Sequence, residues 1–458
     1  MSSALQHLNK KCLSCPAFLQ GKCAGKAANL KAFKPSTTVS RMMTTEASPA
    51  RRIDKREGDI SSTFTTFSGR KAEPLPKRFL DLKRNLTAGF EEQIQKSWDD
   101  LVEVLKHRTE EVALKRESIQ FKDISSGTVS AEHLKAVRDT GVVVVRGVMP
   151  KDMTEALLAE ARGYFASHSF KGFPSDTEKK AIDLTTPLTY CDRVQIRPPG
   201  DKQFALAPHV DGGGVERWED KAYNHVYRNI FQGRWREYDP WDLTGRLDAN
   251  MNMYNGPGGC SVFRTFQGWL GLSRHGPQQA YWMLRPFFKP TQRGSLNNWK
   301  FSLDDEDGNV FLHGANPGTM QEHSPENHPH LMLQETMIPY PTVEPGDTVF
   351  WSADTIHGTE RENTGAEDAC VFYIPSVPLT LSNMQYVSQQ RDAFLKGLPP
   401  PDFPGGAGES HFLDRAKVRD VQSEAGKVAM GLRPLTVTAA NARHGDLVKR
   451  ANNLLGFI

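Results

Sequence analysis

Two short segments, far apart in the chain, carry three side chains that can bind one metal ion. His209 and Asp211 lie in the first segment, and His357 ends the second, which begins at Pro345. In an extended strand His209 and Asp211 project to the same side, because side chains alternate between the two faces. The second segment reads as a turn followed by β-branched and aromatic residues, which is typical of a strand. The chain must therefore fold so that one strand brings His357 to the other two side chains.

Two imidazoles and one carboxylate form a three-ligand face that suits non-haem Fe(II). Such a face leaves positions open for O₂ and an oxidisable co-substrate. The run Gly212–Gly214 follows Asp211 and lets the backbone leave the strand abruptly beside a metal. A lone His-x-Asp is weak, because this chain has 14 histidines, but the aromatic strand ahead of His357 makes the combination rarer. We expect His209, Asp211 and His357 to be the metal ligands and the catalytic residues.

Five segments of the chain resemble the YbiU-like family. They are Cys191–Arg197, His209–Trp218, Cys260–Trp269, His328–Leu331 and Pro345–His357. That family comprises bacterial and fungal proteins of largely unknown function, related to the phytanoyl-CoA-hydroxylase group of Fe(II)/2-oxoglutarate oxygenases. The resemblance runs from about Leu75 to Leu432 and points to the fungal branch.

The resemblance implies a fold that is mainly β with α decoration. Its core would be a double-stranded β-helix, a cupin-like jelly roll with helices packed outside. It also implies Fe(II), O₂ and 2-oxoglutarate as co-substrate, acting on a small molecule such as an amino acid by hydroxylation or oxidative cyclisation. Two alternatives stay open: a metal-binding jelly roll without oxygenase activity, and a metal-dependent isomerase or lyase.

The distal carboxylate of 2-oxoglutarate needs a cation, ideally a guanidinium whose fork matches it. Related oxygenases place an arginine about ten residues after the distal histidine. Here Glu367 stands at that distance, and residues 362–375 contain no Arg or Lys. We expect the anchor to be Arg193 or Arg197, which project to one side of a strand, or Arg264, in a predicted strand at 263–269.

The same predicted strand carries two further candidates. Gln267 and Trp269 share one of its faces, and the resemblance implies that this face abuts 2-oxoglutarate. A Gly-rich strand expected between Gly271 and Leu284 is missing from the sequence. Its loss would leave an exposed sheet edge, as in an inactive isoform or a mis-spliced gene.

Composition bounds the remaining classes of function. The 458 residues, with a net charge of +3 and a mean hydropathy of −0.53, suggest neither nucleic-acid binding nor a membrane span. A small-molecule substrate is the expected partner. We expect one catalytic domain at residues 75–458, behind an N-terminal extension and linker at residues 1–74.

The extension has the composition of a mitochondrial transit peptide. Residues 1–45 contain seven Lys or Arg and no acidic residue. The alternative is a solvated basic tail on a cytoplasmic protein. Cys12, Cys15 and Cys23 could bind zinc together with His7, or lie reduced in that tail.

Local patterns predict the order of several elements. Apolar residues recur at helical spacing from Phe79 to Leu105, and Ser130 is placed to cap a helix. Further predictions are a buried strand at 141–146, a helix opening at Pro150 and running to about Ser167, a strand at 190–197, a helix at 215–231, a strand at 260–272 and a long polar loop at 297–330.

Overall fold

The computed structural model describes 16 stretches of the chain, all within the compact unit of residues 52–458. They are residue 64 and residues 73–112, 118–150, 152–154, 182–191, 194–202, 206–242, 244–256, 259–271, 283, 287–290, 298–304, 307–337, 343–402, 407–439 and 441–458.

Two amphipathic helices come first. They are α1 (Arg78–Thr87) and α2 (Glu91–Val112). The single apolar stripe seen in the sequence is therefore split, because Gly89 between the helices adopts a φ of +80° that helices do not contain. Trp98 of α2 is fully buried and stacks on Phe288 with ring centroids 4.4 Å apart. The helices thus cover a large apolar core.

The largest sheet has six strands. They are β1 (Ser118–Gln120), β2 (Val142–Arg146), β4 (Val194–Arg197), β6 (Gln267–Gly271), β10 (Thr348–Trp351) and β11 (Ala369–Tyr373). Their order is β1-β2-β10-β6-β11-β4, and every pair is antiparallel except β1 with β2. Sequence neighbours are mostly not sheet neighbours, so the chain crosses repeatedly out of this sheet.

In the part of the chain that the structure describes, three two-stranded sheets stand apart from the large one. They pair β3 (Ile182–Leu188) with β12 (Val377–Thr380), β5 (His209–Val210) with β9 (Gln321–Glu322), and β7 (Phe288–Pro290) with β8 (Trp299–Phe301). The described residues thus form a mixed α/β fold with several sheets and no closed barrel. Strands and helices are both present, as predicted, but the predicted jelly-roll core is not confirmed.

Within the described residues, nine more α-helices connect and cover the sheets. They are α3 (Phe121–Ser126), α4 (Ala131–Thr140), α5 (Glu216–Glu219), α6 (Lys221–Val226), α7 (Arg228–Phe231), α8 (Leu333–Thr336), α9 (Leu381–Lys396), α10 (Glu424–Ala429) and α11 (Gly445–Leu454). Ser130 caps α4 as predicted, accepting from the backbone N–H of His133 at 3.1 Å. Within the described part of the chain, no helix is both long and apolar enough to cross a membrane.

One face of the large sheet is a packed apolar layer. Directly opposite residues on neighbouring strands share a face, and Val144, Val349 and Trp269 stand opposite one another across β2, β10 and β6. All three are buried in one cluster with Trp351 and Val371. This face carries the predicted pair Gln267 and Trp269.

Several predicted elements differ from the structure. The helix expected at 215–231 is three short helices, because Asp220 and Tyr227 interrupt it. The strand expected at 260–272 begins only at Gln267. The loop expected at 297–330 contains β8 and β9. Most of the helix predicted from Pro150 lies outside the described residues. So does the stretch 272–282, where the sequence lacks the expected Gly-rich strand.

Candidate metal centre

The three predicted ligands meet where two chain segments pair. The backbone N–H of His209 donates to the carbonyl of His357 at 2.8 Å, and that of His357 donates back to His209 at 2.9 Å. Asp211 follows His209 by two residues and lies on the same side, as strand alternation predicts. The expectation that a second segment carries His357 to the first is confirmed.

The side chains converge with a spacing that suits one ion. His209 Nε2 lies 3.6 Å from Asp211 Oδ1, and His357 Nε2 lies 3.7 Å from Asp211 Oδ2. One ligand atom from each of the three residues lies within 4.8 Å of the other two. His209 is buried, whereas the Asp211 side chain is 24% exposed. The group therefore has a protected side and an accessible side.

Backbone carbonyls orient both imidazoles. His209 Nδ1 lies 2.8 Å from the carbonyl of Ala207, and His357 Nδ1 lies 2.9 Å from that of Thr355. A carbonyl oxygen only accepts, so each Nδ1 carries the proton and each Nε2 keeps a lone pair directed at the centre. This is the way metal-binding histidines are commonly fixed by their outer contacts.

Burial also keeps His357 neutral. It lowers the pKa of His357 from 6.5 to about 4, with the neighbouring His209 lowering it further and Asp211 opposing the change. A neutral imidazole is the form that binds a metal ion. The donor set, the tautomers and this pKa all fit a divalent cation such as Fe(II).

Side chains hold the backbone that leaves the centre. Arg217 is fully buried, and its guanidinium donates to the carbonyls of Asp211, at 2.6 Å, and Gly213. The Tyr223 hydroxyl donates to the carbonyl of Gly212 at 3.1 Å. Each carbonyl of this turn thus has its own partner, so the turn and Asp211 are held in place.

Glu216 completes the same turn from inside. It is 1% exposed, and one of its carboxylate oxygens accepts from the backbone N–H of Gly214 at 2.8 Å. Burial raises its pKa from 4.5 to about 7, although the backbone hydrogen bonds lower it. The turn therefore contains a buried carboxyl group that titrates near neutral pH.

A buried polar cluster supports the segment before His357. Asp354 is 5% exposed and pairs with the guanidinium of Arg246. It also accepts from the hydroxyls of Tyr227, at 2.8 Å, and Tyr238. An isolated buried carboxylate would be unstable, and these donors compensate for it. The cluster fixes the turn between β10 and His357.

Two aromatic rings pack against the ligands. Trp351 at the end of β10 lies 4.9 Å from the His357 ring, centroid to centroid, and its indole N–H donates to Gln267 at 2.9 Å. Phe64 is 2% exposed and meets His209 edge-on at 4.8 Å. Phe64 belongs to the predicted linker, yet it contributes to the wall of the site.

The arginines predicted to bind 2-oxoglutarate lie in different surroundings. Arg264, just before β6, has a guanidinium nitrogen 3.9 Å from Asp211 Oδ2. Arg197 is buried and holds Asp201 at 2.9 Å and the carbonyl of Glu360 at 3.0 Å, which are contacts that stabilise a loop. Arg193 lies outside the described residues.

The other two candidates lie on the apolar face of the large sheet. Gln267 reaches the centre indirectly, through the indole of Trp351. Trp269 is buried in the layer between Val349 and Tyr373. The structure thus brings Arg264 to the triad and places Gln267 and Trp269 behind it.

Sequence reasoning missed several residues around the centre. Arg217 lies in a segment quoted only for its resemblance, and Asp354 stands three residues before His357 without a pattern of its own. Three further buried histidines pack close by. His323 and His328 have ring centroids 4.6 Å apart, and His330 lies 6.1 Å from His328. Arg217 lies in the short helix Glu216–Glu219, where three of the four residues are charged, so no pattern in the sequence distinguished it.

Comparison with known proteins places the chain in a family. The model of the Gig2-like family matches residues 73–180 and 175–432. The chain belongs to the Gig2-like family. The uncharacterised protein YbiU of Escherichia coli K12 is 33% identical over 272 residues, which are 57% of this chain and 60% of YbiU. The alignment thus spans about three fifths of that relative.

Solved structures share the fold of this Gig2-like chain. The GlcNAc-inducible protein GIG2 of Candida albicans matches with a TM-score of 0.72 and 27% identity, over 84% of this chain and 96% of GIG2. A proposed oxidoreductase of Salmonella typhimurium LT2 matches with a TM-score of 0.63 and 24% identity, over 79% of this chain and 99% of that protein. The second likeness concerns the fold alone.

Proposed function

We propose that the protein is an Fe(II)/2-oxoglutarate-dependent oxygenase that oxidises a small molecule. The observation that carries this proposal is the convergence of His209, Asp211 and His357, with both imidazole Nε2 atoms directed at one point. Two histidines and a carboxylate with open positions are the donor set of non-haem iron oxygenases.

The iron would supply activation of O₂, with 2-oxoglutarate supplying electrons, as in oxygenases of this donor set. The protein's part is geometric. The carbonyls of Ala207 and Thr355 fix the two imidazoles, and Arg217 fixes the turn after Asp211. Trp351 and Phe64 exclude water from the histidine side. The exposed side of Asp211 is where substrate and co-substrate would approach.

Arg264 is the proposed contact for a carboxylate of 2-oxoglutarate. Its side chain is 10% exposed, and one guanidinium nitrogen lies 3.9 Å from Asp211 Oδ2, beside the metal ligands. A guanidinium in such a partly buried position binds a carboxylate strongly. The prediction for Arg197 is less well supported by its surroundings, because Asp201 already neutralises it.

The sheet order supports a jelly-roll relationship as part of the same proposal. β4, β11, β6 and β10 are adjacent in space although distant in sequence, and β4 and β10 lead to His209 and His357, respectively. That arrangement is expected of a double-stranded β-helix whose second sheet is short. A small-molecule partner and a mitochondrial location also remain our proposals.

A second candidate function is metal binding without oxygenase activity. It is favoured by one observation, the absence of Arg or Lys from residues 362–375 after His357. Anaerobic titration with Fe(II) and 2-oxoglutarate separates the two functions. A charge-transfer absorption band that requires both additions supports the oxygenase, and Fe(II) binding without the band supports the alternative.

Replacing the ligands tests the centre itself. We expect His209→Ala, Asp211→Ala and His357→Ala each to abolish Fe(II)-dependent succinate formation while circular dichroism stays unchanged, because each removes one of three donors. His225→Ala is a suitable control, since His225 is an exposed histidine of α6 and is not one of the three converging side chains. Near-full turnover by any one triad variant would show that its residue is not a ligand.

A further inference from the structure

A polar pair lies at the edge of the large sheet, on the face that carries Trp269. Gln195 in β4 stands opposite Val371 in β11, and Tyr373 in β11 stands opposite Trp269 in β6. The Tyr373 hydroxyl donates to Gln195 Oε1 at 2.8 Å. Residues directly opposite share a face, so this pair belongs to the same layer as Gln267 and Trp269.

The amide nitrogen of Gln195 is buried and has no hydrogen-bond partner among the residues that the structure describes. Tyr373 fixes the amide, so the two N–H groups of Nε2 have a set direction. Buried polar groups are nearly always satisfied, and leaving one unsatisfied is costly. An acceptor supplied from outside the chain would remove this cost.

Small residues continue the sheet row that begins at Gln195. Val371 stands between Gln195 and Gly271 in the register, and Gly271 has no side chain to fill the inner face. The next row, by contrast, contains the bulky pair Tyr373 and Trp269. A few polar donors placed among apolar side chains are the usual form of a small-ligand subsite.

We propose that Gln195 and Tyr373 form a binding subsite for an acid oxygen, with Gln195 Nε2 as donor. The chemistry is that of a carboxylate, which two N–H donors can bind without bringing a buried charge of their own. The proposal rests on the proposed function for the source of that carboxylate. It is the distal carboxylate of 2-oxoglutarate or the carboxylate of an amino-acid substrate.

The test compares Gln195→Leu, Gln195→Glu and Tyr373→Phe with the wild type and with Gln389→Leu, a control at an exposed glutamine of α9. The first arm measures affinity for 2-oxoglutarate and for 2-oxobutanoate with Fe(II) bound anaerobically. Both acids share the chelating end, but only the first has a distal carboxylate. The second arm adds the common L-amino acids to the complex with Fe(II) and 2-oxoglutarate and follows its absorption band.

We expect Gln195→Leu to lose roughly ten- to a hundred-fold in affinity for one of these acids, which is the range of a hydrogen bond to a charged group. Gln195→Glu should lose more, because it repels a carboxylate, and Tyr373→Phe less, because the amide donor remains. A loss for 2-oxoglutarate but not 2-oxobutanoate identifies the co-substrate, and a loss confined to an amino acid identifies the substrate.

Unchanged affinities in both arms for Gln195→Leu and Gln195→Glu would overturn the subsite while leaving the proposed function intact. A wild-type protein that binds Fe(II) but neither class of acid would overturn both. Circular dichroism of each variant confirms that a loss of affinity comes from a folded protein, and Gln195→Glu preserves the side-chain volume if Gln195→Leu does not fold.

Discussion

Arg264 lies beside Asp211, so its role depends on whether Asp211 binds a metal ion. Its guanidinium lies 3.9 Å from a carboxylate that would itself bind the metal, so the arginine has little to gain from Asp211 once an ion is present. A co-substrate carboxylate would be a better partner. Measuring the affinities for 2-oxoglutarate and for Fe(II) separates binding of the co-substrate by Arg264 from a purely structural role.

We predict that Arg264→Gln weakens 2-oxoglutarate binding by roughly ten- to a hundred-fold, because hydrogen bonds to charged groups contribute about 1.5–3 kcal/mol. Iron affinity should change much less. Arg197→Gln and Arg193→Gln, measured in the same way with Fe(II) bound, complete the set. If all three variants bind 2-oxoglutarate as the wild type does, another residue anchors it or the protein does not use it.

Glu216 gives a prediction about pH. Its pKa is about 7 in the folded protein against 4.5 normally, so the folded state favours the neutral carboxyl. This preference for the neutral carboxyl stabilises the folded state fully below pH 4.5. The stabilisation is lost as the pH rises through 7. We expect the loss to be about 3 kcal/mol.

The measurement is the free energy of unfolding of the metal-free protein between these two pH values. Glu216→Gln, which is neutral throughout, should lack this part of the pH dependence. Identical pH profiles for the wild type and the variant would mean that Glu216 is ionised in the folded protein.

The sequence was informative about single residues where the residue types and their spacing both suit one function. His209, Asp211 and His357 could be proposed together because a strand alternates and the ligand types are few. Arg217 and Asp354 could not be, since their contacts are to backbone carbonyls and to tyrosines distant in sequence. Partners of that kind become visible only once the chain is folded.

Among the elements, the turn after Asp211 shows why its glycines are needed. Gly212 and Gly213 have φ values of +87° and +88°, as the glycine run predicted. A Cβ on Gly213 would lie 2.7 Å from the carbonyl oxygen of Met251, and backbone cannot move aside easily. Gly308 also has a positive φ, +75°, but open space around it.

We predict that Gly308→Ala costs about 1–2 kcal/mol of stability, the usual cost of a left-handed alanine, and leaves iron binding unchanged. Gly213→Ala should cost more and should also weaken Fe(II) binding, because the clash displaces the turn that carries Asp211. Thermal unfolding and Fe(II) titration of both variants check this. Equal effects on stability and on iron affinity would show that the close approach to Met251 is unimportant.

Element boundaries were harder to predict than element types. The apolar stripe from Phe79 to Leu105 is helical but broken at Gly89. The polar composition of residues 297–330 predicted a loop, although β8 and β9 lie there. Both strands are short, and β9 exists because Gln321 and Glu322 pair with β5 beside the centre. Such pairing depends on tertiary contacts and not on local propensity.

For the whole molecule, the family match spans residues 73–432, and the N-terminal segment is a separate question. Residues 1–63 lie outside the described residues, so the transit-peptide prediction rests on composition alone. Phe64, close to that segment, packs on His209. The predicted domain boundary at residue 75 therefore excludes at least one side chain that contacts the centre.

We predict that residues 1–60 direct a fluorescent reporter to mitochondria, because the segment before Glu46 is basic and lacks acidic residues. The control is the same segment with the seven Lys and Arg of residues 1–45 replaced by glutamine, which should leave the reporter diffuse. Diffuse cytosolic signal from the unaltered fusion would refute a mitochondrial location directed by this segment.

The contact between Trp351 and His357 has an optical consequence. His357 would hold an ion at Nε2 of an imidazole whose ring centre is 4.9 Å from the indole ring. A transition metal at that range quenches indole emission, and Trp351 is one of eight tryptophans in the chain. The difference in fluorescence between the wild type and Trp351→Phe therefore reports occupancy of the centre without any added dye.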